Sequence, residues 1–515
     1  MGPKLSRRHF VGGAAALSAL APLGIAPAFS QEHQSFIARV DRDVENLDPA
    51  FRTSLTDSNV IRVVYQRLID YNVGAYGWQL DAAEAIEQKS DLEITFRLKQ
   101  GIMFTGGYGE MTADDVKFSL ERFAFPDAEG RVSSYRQDWA DLKEVVVHDK
   151  YSGSIIFKKP APNIWQSALP HASGAIVSRK AVEKFGAQFG RNPVGSGRYE
   201  VVSFSAQDGV VLKRNPLFLD TPGEFESFTV RFISNVKTAQ LAVEAGEIDF
   251  TQVPLTTVPE LERSGRVAVS VIPTQKFIWL GLNTESPKLA DIKVRQAIRA
   301  AVNIDEVLLG AYQGKAPRLN TLLPAGLAGH WAEAPVYTQD LQQAQALLAE
   351  ANVSGPLKVK LTVLNEPVFN TMALIVQAQL AAAGIEVEID QREGGSFWSA
   401  GKDESGENME LYITSFNTSV APVANTRWFL PNQIGDWNWS RWNSPEFEEL
   451  YDSISVDFDI DSRSAKLIEM QRLMDESAAF IWLTSDVVAY AHQTWLVPMI
   501  LPNGVDCQYA YFRRA

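Results

Sequence analysis

The sequence predicts an α/β fold built from more than one lobe. The clearest sign is a strand–helix–strand pattern over residues 357–389, which is typical of two parallel strands joined by a crossover helix. A second sign is an alternating segment at residues 92–98 with a helical pattern close behind it. The third is length, because 515 residues of globular composition exceed what one hydrophobic core usually supports.

The first of these elements lie in the N-terminal part of the chain. Residues 92–98, LEITFRL, alternate apolar and polar side chains, which predicts a half-buried strand. Thr112 precedes ADDVKFSLERF and is predicted to cap a helix there. Asp114 and Asp115 fall in the first turn of that helix, where the helix dipole favours acidic side chains.

The later elements are more regular. Residues 291–303 carry apolar side chains at i, i+3, i+4 and i+7, which predicts a helix with one buried face that begins near Asp291. Within residues 357–389, apolar and polar side chains alternate in LKVKLTVL, and those of NTMALIVQAQLAAA recur with helical spacing. Gly384 follows at a position typical of a helix C-terminus, and IEVEI alternates again. The α/β class is therefore predicted from about residue 275 onward.

Residues 1–30 predict an export signal. Arg7 and Arg8 precede an apolar run over residues 11–26 that is too short and too weakly apolar to span a membrane. The run SRRHFV resembles the twin-arginine signal, which exports folded proteins; an ordinary secretory signal is the alternative. Cys507 is the one cysteine, so we expect a soluble periplasmic protein with neither a disulfide nor a lipid anchor.

Charge and motifs argue against several classes of function. The net charge of −14 at pH 7 disfavours a nucleic-acid partner, which requires a basic face. The six histidines are scattered without metal-ligand spacing. Residues 195–197, GSG, lack the spacing of a nucleophile elbow and predict a tight turn. We therefore expect no catalytic residues, no metal and no cofactor.

Six blocks of sequence together resemble the family 5 solute-binding proteins of ABC importers, the group that binds dipeptides, oligopeptides and nickel. The blocks keep their order and spacing over nearly the whole chain after the signal. They are 45–71, 92–123, 192–218, 246–250, 277–308 and 443–450.

The resemblance implies a periplasmic-binding-protein clamshell of the type II-like cluster C class. Lobe I, enlarged by an extra subdomain, is expected over residues 31–274, lobe II over 275–482, and a return to lobe I over 483–515, with a two-strand hinge. The resemblance also implies a monomeric, non-enzymatic protein that delivers its ligand to ABC transporter permease subunits in the inner membrane. An exported hydrolase, and a sensor or chaperone, are the alternatives.

The resemblance also points to a ligand-binding segment. In peptide-binding relatives, an aromatic residue of the second lobe is followed three residues later by an aspartate that pairs with the free amine of the peptide. Phe416 matches the aromatic position, but Ser419 replaces the aspartate, and no acid occurs within 411–435. A buried ammonium without a carboxylate is costly, so either another acid replaces the aspartate or the ligand has no amine there. Asn417 and Thr418 offer polar contacts.

Short peptides are therefore the leading ligand class, and an oligosaccharide or opine-like conjugate is the alternative. Trp398 matches an aromatic cleft position of the peptide-binding relatives and is predicted to line the site. Arg427 suits a carboxylate or phosphate group, although a surface ion pair explains an arginine equally well.

Three tryptophans lie close together in residues 436–442, DWNWSRW, before a helix that is predicted to begin after Ser444. We expect this segment to be extended, with Trp437 and Trp439 on one face. There they either stack on a ligand or pack in the core. Trp442 is predicted to belong to the core.

Overall fold

The computed structural model describes residues 33–205, 209–416 and 420–515. The predicted export signal at residues 1–30 lies outside the described residues. Within the described part, the strands are β1 (Ser35–Val40), β2 (Ile69–Tyr71), β3 (Trp78–Leu80), β4 (Ala83–Ser90), β5 (Glu93–Leu98), β6 (Met103–Phe104), β7 (Gly109–Glu110), β8 (Leu142–Asp149), β9 (Ser152–Phe157), β10 (Tyr199–Ser205), β11 (Gly209–Arg214), β12 (Ser227–Phe232), β13 (Phe250–Val253), β14 (Ala268–Leu282), β15 (Leu357–Leu364), β16 (Ile385–Arg392), β17 (Leu411–Phe416), β18 (Phe480–His492), β19 (Leu496–Val497) and β20 (Arg513–Arg514).

The α-helices of the described part pack around these strands. They are α1 (Leu55–Val64), α2 (Ala113–Ala124), α3 (Ile164–Ser167), α4 (Arg179–Phe185), α5 (Val236–Glu244), α6 (Val258–Ser264), α7 (Ile292–Ala301), α8 (Ile304–Tyr312), α9 (Leu341–Glu350), α10 (Pro367–Ala382), α11 (Gly394–Ala400), α12 (Asp403–Glu407), α13 (Val423–Thr426), α14 (Pro445–Ser455) and α15 (Ile460–Glu476). Among the described residues, no helix combines the length and the apolar character that crossing a bilayer requires.

One mixed sheet of ten strands joins the two ends of the molecule, in the order β10-β11-β12-β1-β13-β18-β14-β17-β15-β16. The long strands β14 and β18 lie near its centre and pair antiparallel. Strands from the N-terminal part of the chain lie on one side of this pair, and β15, β16 and β17 lie on the other. A separate four-stranded sheet, β4-β5-β9-β8, belongs to the N-terminal part.

The regular elements predicted from the sequence are confirmed. Strand β5 alternates buried and less buried side chains. Helix α2 begins after Thr112, whose backbone N–H donates to Asp115 Oδ2 at 3.0 Å. Helix α7 begins after Asp291, whose carboxylate accepts the Lys293 N–H at 2.9 Å. Strands β15 and β16 pair parallel across α10, and Gly384 adopts a φ of 88° after that helix, a conformation that favours glycine.

Hydrophobic side chains form separate cores on the two sides of the central strand pair. The first core draws on residues 36–250 and again on residues 490–512. On the other side, β14 alternates, so that Ile278 and Leu280 enter an aliphatic core with α7 to α10. Phe277 and Trp279 enter the opposite face. On that face, buried aromatic side chains form a third core, which we call the aromatic cluster. Its members are Phe277, Trp279, Phe397, Tyr412, Phe416, Phe429, Trp439, Trp442, Phe447, Phe480 and Trp482.

Candidate ligand-binding site

A cavity of about 740 Å³ lies between the N-terminal and C-terminal parts of the molecule. Residues 71–88 and 162–166 line it from one side, and residues 326–328, 420–422 and 458–463 line it from the other, with Leu501 and Pro502 at the edge. Its volume suits a small-molecule ligand. We call it the interlobe cavity.

Two stacked tryptophans form one wall of the interlobe cavity. The rings of Trp78 and Trp165 lie 5.3 Å apart with an angle of 26° between their planes. Trp165 Nε1 donates to Gln88 Oε1 at 2.8 Å, which fixes its ring. Trp78 is 38% exposed, so the pair offers an indole face on which the flat or apolar part of a ligand can stack.

Polar side chains from both sides of the cavity complete its lining. Arg463 of helix α15 is only 4% exposed, and its Nη2 donates to Asn163 Oδ1 across the cavity boundary. Gln166 also lines the cavity. Glu87 carries the one carboxylate among its described lining residues. It is thus a candidate for the acid that the 411–435 segment lacks.

Three of the residues predicted from the sequence come together at the edge of the aromatic cluster, where Trp398 and Trp437 are half-buried and Phe416 is buried. Trp398 stacks on Phe416 at 6.4 Å, and Trp437 meets Phe416 edge-on at 5.8 Å. Trp428, which sequence analysis did not predict, completes the group at 5.3 Å from Phe416. We call these four residues the aromatic patch.

The predicted extended conformation of residues 436–442 is wrong. Gly435 has a φ of 87°, and the backbone N–H groups of the three residues that follow it all donate to the Gln433 carbonyl. These local hydrogen bonds close a tight turn, which the alternation of tryptophans did not reveal. The turn sends Trp437 and Trp439 to different depths.

Trp439 lies in the core. It is 1% exposed, its Nε1 donates to the Asp436 carbonyl at 3.0 Å, and its ring lies 5.3 to 5.7 Å from the rings of Phe397, Tyr412 and Trp398. In this arrangement its ring serves packing beneath the aromatic patch. Trp442, predicted as core, is 8% exposed and packs edge-on against aromatic side chains.

The remaining predicted residues are Arg427 and the three residues of the segment 417–419. Arg427 is exposed, and its guanidinium lies 4.0 Å from the centre of the Trp428 ring. Asn417, Thr418 and Ser419 lie outside the described residues. Of the predicted residues that the structure describes, none lines the interlobe cavity, although Val420 and Pro422 do.

Sequence analysis missed Trp78, Trp165 and Arg463. A usable signal existed only for Arg463. Helix α15 buries Leu467, Met470, Gln471 and Met474 on one face, and Arg463 is buried on the same face. A charged side chain on an otherwise buried helix face indicates a special partner. Among the described residues, no group of three or more candidate metal ligands forms.

The amino-acid sequence matches a known protein family. Residues 78–436 match the model of the bacterial extracellular solute-binding proteins, family 5. The chain is 24% identical over 455 residues to the probable D,D-dipeptide-binding periplasmic protein DdpA of Escherichia coli K12, covering 86% of each chain.

Solved structures agree with the fold. HbpA2 from Haemophilus parasuis superposes with a TM-score of 0.84 at 21% identity, covering 93% of this chain and all of that one. The unliganded open form of the murein tripeptide-binding protein MppA gives 0.84 at 19% identity, with 94% and 98% covered. The predicted α/β clamshell of two lobes is confirmed. The chain belongs to the family 5 bacterial extracellular solute-binding proteins.

Proposed function

We propose that this protein is the periplasmic binding component of an ABC importer and captures short peptides or peptide-like solutes between its two lobes. The interlobe cavity carries this proposal, because residues of the N-terminal part, within 71–88 and 162–166, and residues of the C-terminal part, within 326–328 and 420–463, both line it. Such a site binds its ligand most tightly when the lobes close. The names of DdpA and MppA, which refer to a dipeptide and a murein tripeptide, support the ligand class.

The lobes of this proposal are residues 31–274 with 483–515, and residues 275–482. The separate cores support this division, since the first core resumes at residue 490. The ladder between β14 and β18 also shifts register between Pro273 and Phe277. Because such irregularities bend strands, we take residues 273–277 as part of the hinge.

The ligand-binding surface of lobe II is proposed to include Trp398, Phe416 and Trp437 of the aromatic patch, with Arg427 and the segment 417–419. The half-buried rings of Trp398 and Trp437 support this assignment, since they leave apolar faces beside the buried Phe416 ring. Trp439 would contribute indirectly, because its buried ring packs against the Trp398 ring, with 5.7 Å between the two ring centres.

A solute other than a peptide is the second candidate, either an oligosaccharide or an opine-like conjugate. Two observations favour it. Ser419 stands where peptide-binding relatives carry an aspartate, and the Trp78–Trp165 pair suits the face of a sugar ring. Glu87, as a cavity-lining carboxylate, favours a ligand with an amine instead.

Export and assembly complete the proposal. Residues 1–30 would direct export through the twin-arginine route and then be removed. The mature protein would work as a monomer in the periplasm, without a lipid anchor, and deliver its ligand to permease subunits in the inner membrane. It would bind no nucleic acid and catalyse no reaction.

Solution X-ray scattering tests the central claim. Di- and tripeptides that bind in calorimetry should reduce the radius of gyration, because a ligand held by both lobes favours the closed state. A scattering profile that stays unchanged at saturation with a bound peptide would refute capture between the lobes. Peptides that fail to bind, while a sugar conjugate binds and closes the protein, would establish the second candidate.

A further inference from the structure

Arg463 is a buried cation that lines the interlobe cavity without an acidic partner. Among the described residues, no carboxylate lies within 4.0 Å of its guanidinium, and its Nε has no hydrogen-bond acceptor. The neighbouring Asp457 pairs instead with Lys466 at 2.9 Å. Removing a charge from water without pairing it is unfavourable, so the position requires an explanation.

The burial of Arg463 also disfavours its charged form. Burial lowers the pKa of Arg463, and the attraction of Asp457 opposes this effect only in part. The described structure supplies one neutral acceptor, the side-chain oxygen of Asn163. An amide oxygen satisfies one donor, but it does not neutralise the charge. The site therefore favours a negatively charged group.

A second polar atom without a partner lies on the opposite wall. The side-chain oxygen of Gln166 is buried and accepts no hydrogen bond within the described residues. Gln166 follows Asn163 by less than one helical turn in the α3 region, so the two unsatisfied groups belong to the same part of the cavity. The Trp78–Trp165 pair adjoins them through Trp165.

We infer that Arg463 and Gln166 form a polar subsite for a small carboxylic acid. The Arg463 guanidinium binds the carboxylate, and the Gln166 side-chain oxygen accepts an N–H or O–H of the same ligand. The Trp78–Trp165 pair covers the apolar or sugar portion. This inference rests on the proposed function and deepens it, because it names the charged group that every ligand must carry.

The burial of Arg463 Nε and Gln166 Oε1 indicates that the two lobes must move before a ligand can contact these atoms. Both atoms are buried in the present arrangement of the lobes, so their contacts with the ligand form as the lobes adjust around it. Arg463 belongs to lobe II and Gln166 to lobe I. A ligand that contacts both is held from both sides.

The test compares acids with their neutral counterparts. The probes are trialanine, D-alanyl-D-alanine and an N-carboxyalkyl amino acid, each as the free acid and with every carboxyl group converted to an amide, measured by titration calorimetry. We expect at least one acid to bind the wild type. Arg463→Met should weaken that acid by roughly 10- to 100-fold, as expected for losing a charge-assisted hydrogen bond.

A variant on the same helix provides the matched control. Arg472 is exposed on α15, so Arg472→Met makes the same charge change and should leave binding unaltered. Thermal melts without ligand establish that Arg463→Met is folded, and its melting temperature should match or exceed the wild-type value because an unpaired buried charge is removed. Gln166→Met gives an independent variant of the opposite wall and should also weaken the acid.

The outcomes separate the inference from the proposed function. An amide that binds the wild type as tightly as its acid would overturn the carboxylate subsite while leaving solute capture intact. The same holds if the acid binds Arg463→Met with wild-type affinity. If none of the probes, acid or amide, binds at millimolar concentration, the proposed ligand class fails and the inference fails with it.

Discussion

Replacing Gly401 with alanine tests whether Trp439 is a fixed part of the core. Gly401 follows helix α11 with a φ of −87°, so its backbone conformation accepts alanine. A Cβ atom at this position, however, would lie 2.2 Å from the Trp439 ring. The buried ring must then move, and overpacking of this kind lowers the free energy of unfolding by about 1–3 kcal/mol.

A double-mutant cycle assigns this loss to the ring. Trp439→Ala alone should lower the free energy of unfolding by about 3–5 kcal/mol, because it empties a fully buried indole site. In the Trp439→Ala background, the alanine at position 401 has room. We therefore expect Gly401→Ala to have little further effect there, with a coupling energy of about 1–3 kcal/mol.

Urea unfolding followed by far-ultraviolet circular dichroism measures the four proteins without relying on tryptophan fluorescence. Gly395→Ala, in the same helix α11, is the matched control, since a Cβ atom there meets nothing within 4 Å. It should stabilise by up to about 1 kcal/mol, as alanine does in helices. Equal losses from Gly401→Ala with and without the Trp439 ring would refute the packing argument and return Trp439 to the candidates for ligand contact.

Three further predictions concern binding, export and pH. Trp398→Ala should weaken ligand binding by about 1–3 kcal/mol in calorimetry if its ring stacks on the ligand, and an unchanged affinity would remove the aromatic patch from the site. Replacing Arg7 and Arg8 with lysine should leave the precursor in the cytoplasm on cell fractionation, whereas continued export would identify an ordinary secretory signal. Burial lowers the pKa of His171 to about 4 against the partly opposing attraction of Asp506, so its contribution to stability is present above the unfolded pKa near 6.5 and lost as the pH falls toward 4. His171→Asn should therefore flatten the fall in urea midpoint between pH 7 and pH 5, and an identical slope in both proteins would contradict this origin.

Local periodicity was sufficient to predict the elements that pack along their whole length. Residues 291–303 and 357–389 show their buried faces directly in sequence, because each apolar side chain recurs at the spacing of its own helix or strand. The turn over 436–442 was not predictable in this way. Its conformation depends on two features: the Gln433 carbonyl accepts three backbone N–H groups, and Gly435 adopts a left-handed conformation. Neither feature changes the pattern of apolar residues in the sequence.

The candidate site was predicted only where it lies within one stretch of sequence. Phe416, Trp398 and Trp437 could be selected from their own segments, and they do meet. The cavity instead joins residues that are hundreds of positions apart, such as Trp78 and Arg463. No local pattern relates two such positions, because Trp78 belongs to β3 and Arg463 to helix α15, and only the tertiary fold brings these elements together.

The position of Arg463 gives a physical reason for coupling between ligand binding and lobe closure. A ligand shifts a conformational equilibrium only by the difference in its affinity for the two states. Contacts made by one lobe alone exist in both states and contribute no difference. Arg463 already reaches Asn163 across the boundary, and the charge it leaves unneutralised requires an anion at that boundary. A carboxylate held there, with Gln166 on the facing wall, would add its binding energy only while the lobes are together. The unneutralised guanidinium of Arg463 would therefore favour the closed state whenever such a ligand is bound.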